Sequence, residues 1–335
     1  MAVSVKDVAA LARVSVGTVS NVLNQPDKVA PATVSRVQAA IDELGFVRND
    51  AARQLRAGRS RSIGLVVLDV RNPFFTDIAR GAEQRAAENN LSVLLGNSDD
   101  DASREASYLD LFEQQRVHGV LISPVDDPTE RLERLREHGI TAVLVDRPSD
   151  GSGFSSVSVD DVSGGYMAVR HLLDTGRRRI AFIGGPDSVR QVADRLSGAK
   201  RAIAEQPDAS LELVPTTALT VLAGRAAGES LRERASDERP DAVFAANDLL
   251  AVGVLQALVM LGEVSVPEDI AIIGYDDIDF SSAAVVPLSS IRQPSELIGL
   301  RAVELLIAEV SGAGATEQIV FQPELVVRDS TRPRA

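Results

Sequence analysis

The 335-residue chain has no cysteine, which excludes disulfides and thiolate metal sites. Histidine is nearly absent: His118, His138 and His171 lie far apart and in no ligand spacing, so a classical zinc site is not expected. No apolar run approaches the roughly 18 residues of a membrane span. Residues 1–6 lead straight into a polar segment with no apolar signal core, so the expected location is the cytoplasm. Enzyme fingerprints are missing as well. There is no Gly-x-Gly-x-x-Gly after a strand, no phosphate-loop lysine motif, no Gly-x-Ser-x-Gly and no His-Glu pair. Gly184-Gly185 lacks the rest of a dinucleotide fingerprint. The expectation is therefore neither an enzyme nor a cofactor-bearing protein.

What remains is the composition of a soluble globular chain, 44% hydrophobic and 25% charged, with room for two or three domains. The net charge of −13 argues against nucleic acid, but its distribution argues the other way. Residues 1–60 hold eight lysines and arginines against five acids, a net +3 that leaves −16 for the remainder. A basic head on an acidic body fits a protein in which only the head meets phosphate, although +3 over sixty residues is modest.

The head reads as short helices. Ser4 is a cap with Asp7 as its reciprocal partner, and Val5, Val8, Ala9 and Ala12 form one apolar face. Arg13-Val14-Ser15 is a tight turn. Ser15 then caps a second helix, Val16 to Leu23, whose inner face is Val19, Val22 and Leu23. A third runs from Pro31, well placed in a first turn, to a stop at Gly45. Two short helices joined by a three-residue turn make a helix-turn-helix unit. Such a unit lays its second helix in the major groove, with small polar residues on phosphates. Ser15, Thr18, Ser20 and Asn24 fit the phosphate role. Val16, Gly17 and Asn21 fall on the outer face, where Asn can pair with adenine and Val can touch a thymine methyl. The alternative is an ordinary three-helix core with Thr18 and Ser20 as surface polar groups.

The run from Val5 through Val-Ser-Val-Gly-Thr-Val-Ser-Asn-Val-Leu to Asn24 resembles the N-terminal signature of the LacI/GalR family of bacterial regulators. The resemblance continues through Leu44-Gly-Phe46 and the stretch from Asn49 to Gly58, and then along the whole chain. It implies that residues 49–60 are a hinge helix that orders on the operator. Leu55 would then wedge into the minor groove at a central C·G step, flanked by Asn49, Ala52 and Arg53. Packing of Leu55 against the body is the alternative. Two positions depart from the family pattern: Ala30 stands where a Ser cap is usual, and Arg48 where a Pro is common.

From Ser62 onward, strand-length apolar runs alternate with amphipathic helices. Strands are expected at 63–68, 92–95, 120–122, 142–145, 180–183, 242–245 and 270–274. That alternation predicts an α/β body of doubly wound parallel sheets, with ligands beyond the carboxyl ends of the strands. The resemblance implies the two-lobed type I periplasmic-binding-protein-like form. It would place a helix-turn-helix domain at 1–48, the hinge at 49–60, one lobe at 61–161 and 292–322, and the other at 162–291 and 323–332. Asn72, Phe74, Phe75, Asp146, Arg147, Arg195, Asn247, Asp248 and Asp276 fall at strand ends and resemble the family's effector constellation. Acids, amides and arginines grip vicinal hydroxyls, and a phenyl ring stacks on a sugar's C–H face. Each also has a plainer role: Asn72 as a turn former before Pro73, Asp248 as a helix cap, Asp276 as a turn residue, Arg195 as a surface charge.

The resemblance thus implies a sequence-specific DNA-binding regulator, a repressor more often than an activator. Its hold on a pseudo-palindromic double-stranded DNA operator would be controlled by a small effector, a pentose or hexose, with nucleosides and purines open. Reading a two-fold site calls for a homodimer. The tail from Arg328 carries no leucine heptad, so a tetramer-forming extension is not expected. A transport protein is the main rival, opposed by the basic head.

Overall fold

The computed structural model describes residues 3–46, 60–186, 188–260 and 264–332. The chain divides into two compact units, Met1–Ser60 and Arg61–Ala335.

The first unit is helical: α1 (Val5–Ala12), α2 (Val16–Asn24), a 3₁₀ turn (Pro26–Lys28) and α3 (Pro31–Leu44). Asp7 accepts hydrogen bonds from the Ser4 backbone N–H at 2.8 Å and hydroxyl at 2.7 Å, which fixes the start of α1. Arg13 ends it in the left-handed region, φ 54°, and Gly45 ends α3 in the same way, φ 59°. Val8, Ala9, Ala12, Val19, Val22, Val37, Ala40 and Phe46 close a small core. The apolar faces read from the sequence are the ones that meet.

The second unit holds two six-stranded sheets. The first is built from β1 (Ser62–Val67), β2 (Ser92–Asn97), β3 (Gly119–Ile122), β4 (Ala142–Val145), β5 (Ser155–Val159) and β11 (Gln318–Phe321), in the order β11-β5-β4-β3-β1-β2. The second comprises β6 (Arg179–Gly184), β7 (Ser210–Pro215), β8 (Ala242–Ala245), β9 (Ala271–Asp276), β10 (Ser289–Arg292) and β12 (Glu324–Val326), ordered β12-β10-β9-β8-β6-β7. Every pairing is parallel except β10 with β12. Central strands are buried throughout, as sheets covered on both faces require.

The first sheet is followed through by α4 (Pro73–Glu88), α5 (Ala102–Gln114) and α6 (Thr129–Glu137), and α12 (Ser295–Val310) returns to pack on α4. The second carries α7 (Asp161–Asp174), α8 (Arg190–Ala204), α9 (Val221–Arg232), α10 (Asp248–Val259) and the short α11 (Asp279–Ala283). α4 and α12 approach so closely that a Cβ on Gly81 would lie 2.0 Å from the Glu296 carbonyl oxygen, and one on Gly299 1.9 Å from that of Ile78. Both positions therefore need glycine. Leu249 and Ile278, from the second lobe, are buried in one cluster with Phe74 and Phe75 of the first, so apolar packing joins the lobes beside the cleft.

Candidate functional site

Two places gather functional side chains. The first is the exposed face of α2. Ser15 caps the helix, its hydroxyl accepting from the Thr18 N–H at 3.0 Å and lying 2.9 Å from the Thr18 hydroxyl. The Asn24 carboxamide donates back to the Ser20 carbonyl at 2.8 Å. Val19 and Val22 face the core, which turns Val16, Gly17 and Asn21 outward into the solvent. Val16 stands 46% exposed, an apolar side chain in water at the start of a helix. Thr18 and Ser20 are half-buried; Ser15 and Asn24 are exposed. The exposed cations Lys6, Arg13, Lys28 and Arg36 belong to the same unit. Asn49, Arg53 and Leu55, with the rest of the expected hinge, lie outside the described residues.

The second is a cleft between the lobes of the body, at the carboxyl ends of the strands. It is a space of about 580 Å³ with the open solvent at its mouth included. Of the residues expected there, Asn72, Phe74, Phe75, Asp146, Arg195, Asn247 and Asp276 line it. Asn72 caps α4, accepting from the Phe74 N–H at 3.1 Å, while its Nδ2 crosses the cleft to Asp276 Oδ2 at 3.0 Å. Phe74 and Phe75 meet edge to face, centroids 5.1 Å apart, and form an apolar wall. Asn247 caps α10 through the Leu250 N–H and donates to the Leu219 carbonyl.

Asp146 follows β4 and Asp276 ends β9; both hold left-handed backbone, φ 56° and 106°. Such strain in non-glycine residues persists where the surroundings fix it, and it clusters at functional sites. Asp146 Oδ2 accepts from Gln191 Nε2 at 2.9 Å, but its buried Oδ1 has no partner. Burial, and then the Asp161 carboxylate, push the Asp146 pKa well up against the pull of Arg195. Arg195 is 4% exposed. It pairs with Asp161 at 2.8 Å, donates to the Ala246 carbonyl at 2.7 Å, stacks 3.7 Å over the Tyr275 ring and lies 3.8 Å from Asp276 Oδ1. Burial opposes its charge, yet the facing carboxylates raise its pKa overall, so it stays a cation.

Two expected residues are elsewhere. Arg147 does not line the cleft; its guanidinium donates to the Asp126 carbonyl at 2.9 Å. Consecutive residues after β4 point apart, so only Asp146 faces in. Asp248 is fully buried behind the wall. Its carboxyl accepts from the Ser290 hydroxyl at 2.7 Å, the Ser281 hydroxyl at 2.7 Å and the Ile278 N–H at 3.0 Å, tying the loop after β9 to α10. A place at a strand end brought it into the expected set, but the first turn of α10 aims it into the protein.

Sequence reasoning missed Asp69, Asp100, Gln191 and the 218–220 segment. Gln191 gave no motif; only the fold brings its carboxamide across to the Asp146 carbonyl at 2.7 Å. Arg190 makes a parallel link to Asp150 at 2.9 Å. Asp69, two residues past β1 and directly after the strand expected at 63–68, is legible by the strand-end rule that found Asp146. Among the described residues, no group of histidines and acids is arranged to hold a metal ion, and no helix is long and apolar enough to cross a membrane.

Comparison with known proteins places both features. Residues 4–49 match the model of bacterial regulatory proteins of the lacI family, and residues 169–331 that of a periplasmic binding protein-like domain. The HTH-type transcriptional repressor PurR of Aliivibrio fischeri (strain MJ11) is 33% identical over 99% of both chains. The ribose operon repressor of Bacillus subtilis (strain 168) is 35% identical over 98% of both. Among solved structures, a lac repressor dimer bound to operator and an anti-inducer matches with a TM-score of 0.85 at 26% identity over 99% of each chain. The CelR regulator in complex with cellobiose matches at 0.69 and 34% identity, over 98% of this chain and 99% of that one. With a family head at one end and relatives above 30% identity along its whole length, the chain belongs to the LacI family of bacterial transcription regulators.

Proposed function

We propose that this LacI-family regulator is a homodimeric repressor whose hold on a pseudo-palindromic operator is set by a pentose or hexose in the interlobe cleft. The observation that carries the effector class is the Asp146 carboxylate: its Oδ1 is buried beside the cleft without a donor, next to the Phe74–Phe75 wall. A sugar hydroxyl supplies the missing donor, and the sugar's C–H face suits the face of a phenyl ring. Asn72, Arg195, Asn247 and Asp276 stand around the same space. Similarity to a ribose operon repressor accords with a sugar, and a nucleoside or purine is the competing ligand because the same phenyl ring can stack on a base. The acid-rich lining, with four aspartates, favours the hydroxyl-rich one.

On the DNA side, Val16, Gly17 and Asn21 read base edges, while Ser15, Thr18, Ser20 and Asn24 hold phosphates. Because the effector bridges residues of both lobes, it acts by shifting their closure, a two-state hinge element. A thermal-unfolding screen of pentoses, hexoses and nucleosides, followed by operator binding with each hit, tests the assignment. A sugar should raise the melting temperature and change operator affinity; stabilisation by nucleosides alone overturns the effector class. The variant N21A should cost about 1–3 kcal/mol in operator binding and relax one base position. Equal binding to operator and random duplex at moderate salt overturns the DNA reading.

A further inference from the structure

We propose that the cleft admits uncharged sugars and excludes their anionic derivatives, the sugar phosphates and sugar acids. This deepens the sugar reading above and rests on it. The lining carries four carboxylates, Asp69, Asp100, Asp146 and Asp276, against two cations, Arg71 and Arg195. Both cations are already paired, although the Arg71 side chain is 65% exposed. Arg71 is held by Asp69 and Asp99, each at 2.9 Å. Arg195 is held between Asp161, the Ala246 carbonyl and Asp276. A phosphate entering this space would meet paired arginines and, at Asp146 Oδ1, an acceptor without a donor.

Helix starts are the other usual anion receptors, because their free N–H groups carry partial positive charge. Here three of the four whose cap residues line the cleft are closed by side chains: Asn72 takes the Phe74 N–H of α4, Thr220 the Ala223 N–H of α9, and Asn247 the Leu250 N–H of α10. α8 has no side-chain cap, but Gln191 in its first turn holds the Asp146 carboxylate there. An anion at that turn would sit against a carboxylate with an unsatisfied oxygen. A phosphate dianion brings only acceptors to an oxygen that needs a donor, whereas a neutral hydroxyl donates to it. The acids that orient a polyol are thus the ones that reject its phosphate ester.

Matched pairs test this on the full chain: ribose with ribose 5-phosphate and glucose with glucose 6-phosphate, each titrated by calorimetry, with inorganic phosphate as a further probe. The neutral member of at least one pair should bind, and its ester should bind at least 100-fold more weakly. Inorganic phosphate should give no heat. The double variant Asp69→Asn with Asp99→Asn, which frees Arg71, should narrow the gap at least tenfold. An ester that binds as tightly as its parent overturns the exclusion alone. A protein that answers to neither member of either pair overturns the sugar reading on which the exclusion rests.

Discussion

Asn72 and Asp276, 204 residues apart in the chain, meet across the cleft at 3.0 Å. One caps the helix after the first strand of one lobe; the other ends a central strand of its neighbour. The same carboxamide thus starts α4 and latches the lobes, so removing it acts twice. N72A should lose about 1 kcal/mol of stability through the cap. It should also weaken effector binding by about tenfold, equivalent to about 1.4 kcal/mol, because closure no longer gains this bond. Urea unfolding and effector titration separate the two effects. A variant that loses stability but binds effector normally would show that Asn72 serves the helix only.

Among the described residues, Arg195 is the guanidinium that faces the carboxylates of Asp161 and Asp276. R195M keeps the stem's volume and removes the charge. It should destabilise the body by about 3–5 kcal/mol, since buried carboxylates are left uncompensated. Adding D161N should recover part of that loss, because the two changes touch one pair. Chemical denaturation of wild type, both single variants and the double variant measures the coupling. Strict additivity would mean that the pair contributes nothing jointly.

Most of this architecture is legible in the residues, and the failures have physical causes. α1, α2 and α3 announce themselves through caps, Pro31 and Gly45. The strands at 142–145 and 242–245 are apolar runs buried on both faces. β5 is hidden: Ser155, Ser156 and Ser158 read as loop, although all five of its residues are buried. β7 lies at a sheet edge and is partly exposed, so it lacks the apolar run that marks the centre. In the cleft, the strand-end rule finds Asp146 and Asp276 but does not tell an inward carboxylate from one such as Asp248. That difference depends on which turn of α10 the chain enters first. Gln191 depends on contact across lobes, which local sequence does not carry.

Asp248 makes stability depend on pH. Burial first, and then the neighbouring Asp276 charge, raise its pKa from 3.8 to about 8. The folded protein therefore keeps this proton where the unfolded chain releases it. The group's contribution is whole below about pH 3.8 and is lost as pH rises through about 8. Asn mimics the neutral acid, so D248N should be close to wild type below about pH 3.8. It should become increasingly the more stable of the two as pH rises from there towards about 8. Melting curves of both proteins across that range give the difference, and a gap that does not change with pH refutes the assignment.

Ala30 leaves α3 without a side-chain cap, at φ −55° and ψ 133°. Its carbonyl accepts from the Thr33 and Val34 N–H groups, yet no side chain takes a first-turn amide. A30S supplies a hydroxyl at that point and should stabilise the helical unit by about 1 kcal/mol. That is about fivefold slower hydrogen exchange for the α3 amides that open with the unit, measured in the full chain. Position 30 lies outside α2, so operator affinity should stay within about twofold of wild type. Slower exchange with unchanged DNA binding would separate the stability of the head from its reading of bases. If α3 exchanges at its original rate, the serine has not formed the cap, and Ala30 costs the head nothing.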